Sequence, residues 1–130
     1  MTKDNDIVIT SAFRTPIGSF RGSLKDYKAT DLGTVVIKKC MEHSSLKKSD
    51  VDTVILGQVL QAGSGQNPAR QSAIGAGIDK EKTATTINQV CGSGLAAITL
   101  AFNSLKLGDT KIVIAGGQES MTNAPHYLNY

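Results

Sequence analysis

Hydrophobic positions along this chain fall into short, separated runs, and their spacing changes character from one run to the next. Ile7-Val8-Ile9-Thr10 is brief, β-branched and uncharged, and predicts a strand over Asp6 to Ala12. Arg14 to Lys28 breaks the pattern with Pro16, Gly18 and Gly22 and reads as a loop. Asp31 is the expected cap of a helix running to about Ser44, with Ala29, Leu32, Val35, Val36 and Cys40 on one face and Lys38, Lys39 and Glu42 on the other. Thr53 to Leu60 is apolar along most of its length, as a strand covered on both faces would be. After the AGSGQN loop, Asn67 can cap a helix with Pro68 at its first position, running to about Ala76. Thr83 to about Gln89 predicts the third strand, and Lys111 to Ala115 the fourth.

Between those last two strands lies Gly92 to Leu107, apolar over most of a helix circumference and closed by Gly108. A helix without a polar face is expected to be buried. The resulting order, β-α-β-α-β-α-β, predicts an α/β fold of layered sheet and helices with parallel crossovers. The last residues, Asn129 and Tyr130, add no closing element, so the expectation is an incomplete fold with apolar surface exposed and a tendency to self-associate.

Composition narrows the function classes. The 130 residues carry a net charge of +3 with no basic run, and aromatic residues make up 5%, which argues against nucleic acid as a partner. The two cysteines, Cys40 and Cys91, have neither disulfide-framework nor metal-ligand spacing, so no metal is expected and a reducing compartment is. No leader pattern opens the chain, and no run is read as long enough to span a membrane, so the expected location is cytoplasmic.

The candidate chemistry gathers at Asn88-Gln89-Val90-Cys91-Gly92-Ser93-Gly94, where a thiol stands between a strand and a helix. The helix end stabilises a nearby anion by about 0.3–1 kcal/mol. The flanking glycines admit an acyl group close to the backbone, and the Cys91 N–H is positioned to serve as an oxyanion donor. A strongly activated thiolate also needs a cationic or basic neighbour. The alternatives are a buried structural cysteine, a non-catalytic interaction module, or a dinucleotide-binding loop. For the last, Gly92-Ser93-Gly94-Leu95-Ala96-Ala97 matches G-x-G-x-x-A, with Glu119 after the next strand as the ribose acid. His43, His126 and Cys40 read as structural or solvated, and Glu119 equally as a loop anchor.

NQVCGSGLAAI, followed by KIVIAGGQESMTNAPH, resembles the N-terminal part of the thiolases, the acetyl-CoA C-acetyltransferase family. IVITSAFRTPIGSFRGSL and ILGQVLQAGSGQNPARQSA are similar too, so the resemblance runs over residues 1–130. It implies a thiolase-like layered fold, of which this is the N-terminal domain, ahead of the loop domain and without the C-terminal one. It implies an acyl-CoA C-acyltransferase that forms or cleaves 3-ketoacyl-CoA. Cys91 would be the nucleophile that carries the acyl group as a thioester, with its own N–H in the oxyanion hole. Coenzyme A thioesters would be substrates, with no permanently bound cofactor, and the full-length assembly a homodimer or homotetramer. The family's G-H-P histidine and C-x-G cysteine do not occur after Cys91, so the segment alone is expected not to turn over.

Overall fold

Two apolar runs and one threonine-rich run pair into one parallel sheet in the computed structural model, which describes residues 6–130. The strands are β1 (Thr53–Gly57), β2 (Thr83–Ile87) and β3 (Val113–Gly117), with β1 in the centre. Thr53 lies opposite Thr83 and Val113, and Gly57 opposite Ile87 and Gly117, so all three strands end level. The helices are α1 (Ala29–His43), α2 (Pro68–Gly75) and α3 (Ser93–Leu107), and a short 3-10 turn follows at Met121–Asn123. The chain steps from β1 to β2 on one side, then back past β1 to β3. Right-handed crossovers therefore put α2 and α3 on opposite faces of the sheet.

Alternation along β1 builds two cores. Val54 and Leu56 face Ile37 and Met41 of α1 and Ala69 and Ala73 of α2; Ile55 faces Ala97 and Ala101 of α3. This accounts for a strand with no polar face, as its composition predicts. Asn67 and Pro68 open α2 as expected, the Asn67 side chain accepting the Arg70 N–H.

Several expectations are corrected. Ile7–Ala12 forms no ladder with any of the three strands, and Val8 and Ile9 are exposed. β-branched residues favour an extended backbone, but extended backbone without ladder bonds is not a strand; a side-chain bond, Thr10 Oγ1 to Ser44 Oγ at 3.0 Å, ties the segment to the end of α1. The described order therefore starts at a helix rather than a strand. Asp31 is not the cap of α1: Lys28 is, and Asp31 sits one turn in, accepting the Lys28 N–H at 2.9 Å. The buried stripe of α1 is Ala29, Gly33, Ile37 and Met41, while Val35 is exposed and Cys40 half-buried. A glycine at the centre of the stripe hid it from an apolar count; a Cβ at Gly33 would lie 1.9 Å from Gln118 Oε1.

β3 begins two residues later than its apolar run because a carboxylate takes the earlier amides. Asp52 Oδ2 accepts the N–H groups of Lys111 at 2.7 Å and Ile112 at 3.1 Å. Those bonds, with Lys82 nearby, hold the Asp52 carboxyl below its ordinary value of 3.8. The native state thus favours the ionised form. Its contribution to stability is present above the unfolded value and is lost as pH falls below it. Asp52→Asn is expected to flatten the fall in stability on the acid side of about pH 4, read from urea midpoints across that range.

α3 differs most from expectation. Only Ser93, Ala97 and Ala101 are buried; Leu95, Ile98, Leu100, Phe102 and Leu107 are exposed. The small residues face the sheet at close range and the large ones face away from it. By length and composition Val90–Leu107 is apolar enough to cross a membrane, at a mean hydropathy of 1.3, which corrects the expectation that no run reaches that length. Its small-residue face, fitted to a sheet, explains such a composition in a layered protein.

Candidate active site

Cys91 is exposed at the turn joining β2 to α3, on the edge of the sheet where the strands end. The glycines packed around the start of α3, just beyond it, are there for a packing reason. A Cβ on Gly57 would lie 2.5 Å from Ser93 Cβ, 2.6 Å from the Ser93 carbonyl carbon and 2.8 Å from the Gly94 nitrogen. A Cβ on Gly117 would lie 3.4 Å from both the Gly57 oxygen and Gly94 Cα. Gly57, Gly94 and Gly117 therefore let the first turn of α3 sit directly on the ends of β1 and β3. That seat fixes the N-terminus of α3, with its partial positive charge, two residues after Cys91.

The turn itself is strained. Val90 has φ +52°, a left-handed conformation that a β-branched residue rarely adopts and that costs of order 1–3 kcal/mol. Its N–H donates to Asn88 Oδ1 at 2.9 Å, and its carbonyl accepts the Ser93 hydroxyl at 2.6 Å. The same Ser93 oxygen accepts the Gln89 N–H at 2.8 Å. Sequence reasoning missed Val90, since valine is the last residue that pattern would place at positive φ.

The other candidates fall elsewhere. The Glu119 carboxylate accepts the N–H groups of Val59 at 2.8 Å and Leu60 at 3.3 Å, anchoring the loop after β1. It is thereby occupied, which removes the ribose acid from the dinucleotide reading. His43 ends α1, the end that leads to the start of β1, and its ring meets Phe13 edge-on at 5.2 Å. His126 is exposed in the last segment. Among the described residues, no histidine, lysine or arginine hydrogen-bonds the Cys91 sulfur, and no group of His, Cys, Asp and Glu is arranged to hold a metal. A cleft of about 410 Å³ lies between α1 and the segment carrying Phe13, Arg14 and Ile17, and Cys91 does not line it.

The chain as a whole has counterparts in known proteins. Residues 7–130 match the family model for the thiolase N-terminal domain. The chain is 57% identical over 123 residues to an acetyl-CoA acetyltransferase of Cupriavidus necator, covering 95% of this chain and 31% of that protein. It is 55% identical to a probable acetyl-CoA acetyltransferase of Escherichia coli, with the same coverage. A cytosolic acetyl-CoA acetyltransferase of Gibberella zeae is 53% identical over 122 residues, covering 94% of this chain and 31% of that one. Among solved structures, a thiolase of Ascaris suum in complex with coenzyme A superposes with a TM-score of 0.87 at 46% identity, over 89% of this chain and 30% of that one. This chain thus spans about a third of the length of such relatives. With its α/β layers and its sequence both matched over nearly every residue, the chain belongs to the thiolase family.

Proposed function

We propose that this chain carries the nucleophile of an acyl-CoA C-acyltransferase, and that the nucleophile is Cys91. The observation that carries the reading is the exposure of the thiol at the seated N-terminus of α3. The match to acetyl-CoA acetyltransferases supplies the substrate class, a coenzyme A thioester.

In the first step the Cys91 sulfur attacks the thioester carbonyl of acyl-CoA. Charge develops on the carbonyl oxygen, where the Cys91 N–H and the helix end stabilise it. The carbon–sulfur bond to coenzyme A breaks, the thiol proton passes to the leaving sulfur, and Cys91 holds the acyl group as a thioester. The carbon beside the thioester of a second acyl-CoA then attacks the Cys91-bound carbonyl and gives 3-ketoacyl-CoA; the bond to the Cys91 sulfur breaks, and the proton lost from that carbon restores the Cys91 thiol. The reverse direction is thiolytic cleavage.

Residues 6–130 place no base against the thiol, so the reading assigns them the acyl-enzyme half-step and not turnover. Assembly as a homodimer or homotetramer, and the place of residues 1–130 as the N-terminal domain ahead of loop and C-terminal domains, belong to the same proposal.

Iodoacetamide labelling, read by peptide mapping, tests it. Cys91 is expected to react ahead of the half-buried Cys40, and acetyl-CoA to slow Cys91 alone. Protection by NAD, with none by acetyl-CoA, would instead favour a dinucleotide site.

A further inference from the structure

We propose that Asn88, Ser93 and Glu119 are positioning residues for Cys91, holding Val90 in the left-handed conformation that turns the thiol outward at the start of α3. The inference rests on the nucleophile reading above. The Val90 side chain is 64% exposed, so packing does not force its backbone into that region. Hydrogen bonds pin the residue on both sides instead. Asn88 Oδ1 takes its N–H, while the Ser93 hydroxyl at 2.6 Å and the Ser93 N–H at 3.1 Å both donate to its carbonyl.

Each pin is itself anchored to another strand end. Ser93 is buried against the Gly57 seat at the end of β1. The Asn88 amide nitrogen donates to the Val59 carbonyl at 3.3 Å. Val59 and Leu60 in turn donate their N–H groups to the Glu119 carboxylate, which follows β3. The turn that carries Cys91 is therefore tied to the ends of β1, β2 and β3 through three side chains. None of the three bonds the sulfur, so they act through the Val90–Cys91 peptide.

The test compares Ser93→Ala and Glu119→Gln, each alone and with Val90→Gly added. The readout is the iodoacetamide rate at Cys91, with Cys40 of the same molecule as reference. Each single variant is expected to slow Cys91 roughly two- to fivefold, the range a helix end confers on an anion, and to leave Cys40 unchanged. Val90→Gly is expected to restore the rate in both backgrounds, because glycine adopts a positive φ without the strain that valine needs the pins to offset. Unchanged Cys91 rates in the single variants would overturn the inference. So would faster labelling of both cysteines, which marks lost fold, and so would failure of Val90→Gly to restore the rate. If wild-type Cys91 reacts no faster than Cys40, the nucleophile reading falls and takes this inference with it. If wild type behaves as expected and the variants do not, only the positioning role falls.

Discussion

Gly57→Ala is expected to destabilise the chain by about 3 kcal/mol, at the upper end of what overpacking costs. The new Cβ would sit 2.5–2.8 Å from Ser93 and Gly94, and two of the three nearest atoms are backbone. A side chain could rotate out of the way; the first turn of α3 has to lift from the sheet. That movement also pulls on the Ser93 hydroxyl and hence on the Cys91 turn. Gly92→Ala provides the contrast. Its nearest atom would be the Gln89 oxygen at 3.3 Å, and its φ of −82° suits any residue. That variant is expected to cost less than about 1 kcal/mol. The difference between the two urea midpoints checks the argument: equal midpoints would mean that the glycines do not form a helix seat.

The second large effect is on chemistry. Cys91→Ser is expected to reduce acetyl transfer from acetyl-CoA to background. A hydroxyl stays protonated at neutral pH, and among the described residues no base hydrogen-bonds it. Stability should change by no more than about 0.5 kcal/mol, because the thiol is exposed and packs little. Cys40→Ser is expected to leave acetyl transfer intact. Intact-mass measurement of both variants after incubation separates these outcomes, and loss of the acetyl adduct in Cys40→Ser alone would reassign the nucleophile.

Much of the architecture was legible before any coordinates. Asn67-Pro68 marked the start of α2 through local hydrogen-bond and steric rules, and Gly108 marked the end of α3. The apolar run from Thr53 correctly signalled a strand covered on both faces, though the ladder ends at Gly57, three residues short of Leu60. What failed depended on partners far along the chain. Ile7-Val8-Ile9 has strand composition but forms no ladder, although β2 and β3 each leave an outer edge unpaired. Lys111 and Ile112 look like strand, yet their amides go to Asp52, a residue 59 and 60 positions away. In α3 the small residues face the sheet, an inversion of the usual large-side-inward pattern that a hydropathy count cannot register.

At the site, the cysteine, the strand-to-helix turn and the glycines were all visible in order. Their division of labour was not. Gly57 and Gly117 lie on other strands from the Cys91 turn, so their contact with Gly94 exists only in three dimensions. Glu119 looked like a ribose ligand or a loop anchor by spacing, and only its two bonds to Val59 and Leu60 decide for the anchor.

The sharpest test is to incubate the wild-type chain with acetyl-CoA and locate the acetyl group by peptide mapping. An exposed thiol just ahead of α3 should take up one acetyl group at Cys91, as a thioester cleaved by hydroxylamine, with none at Cys40. An unmodified Cys91, or acetyl spread equally over both cysteines, would contradict the account.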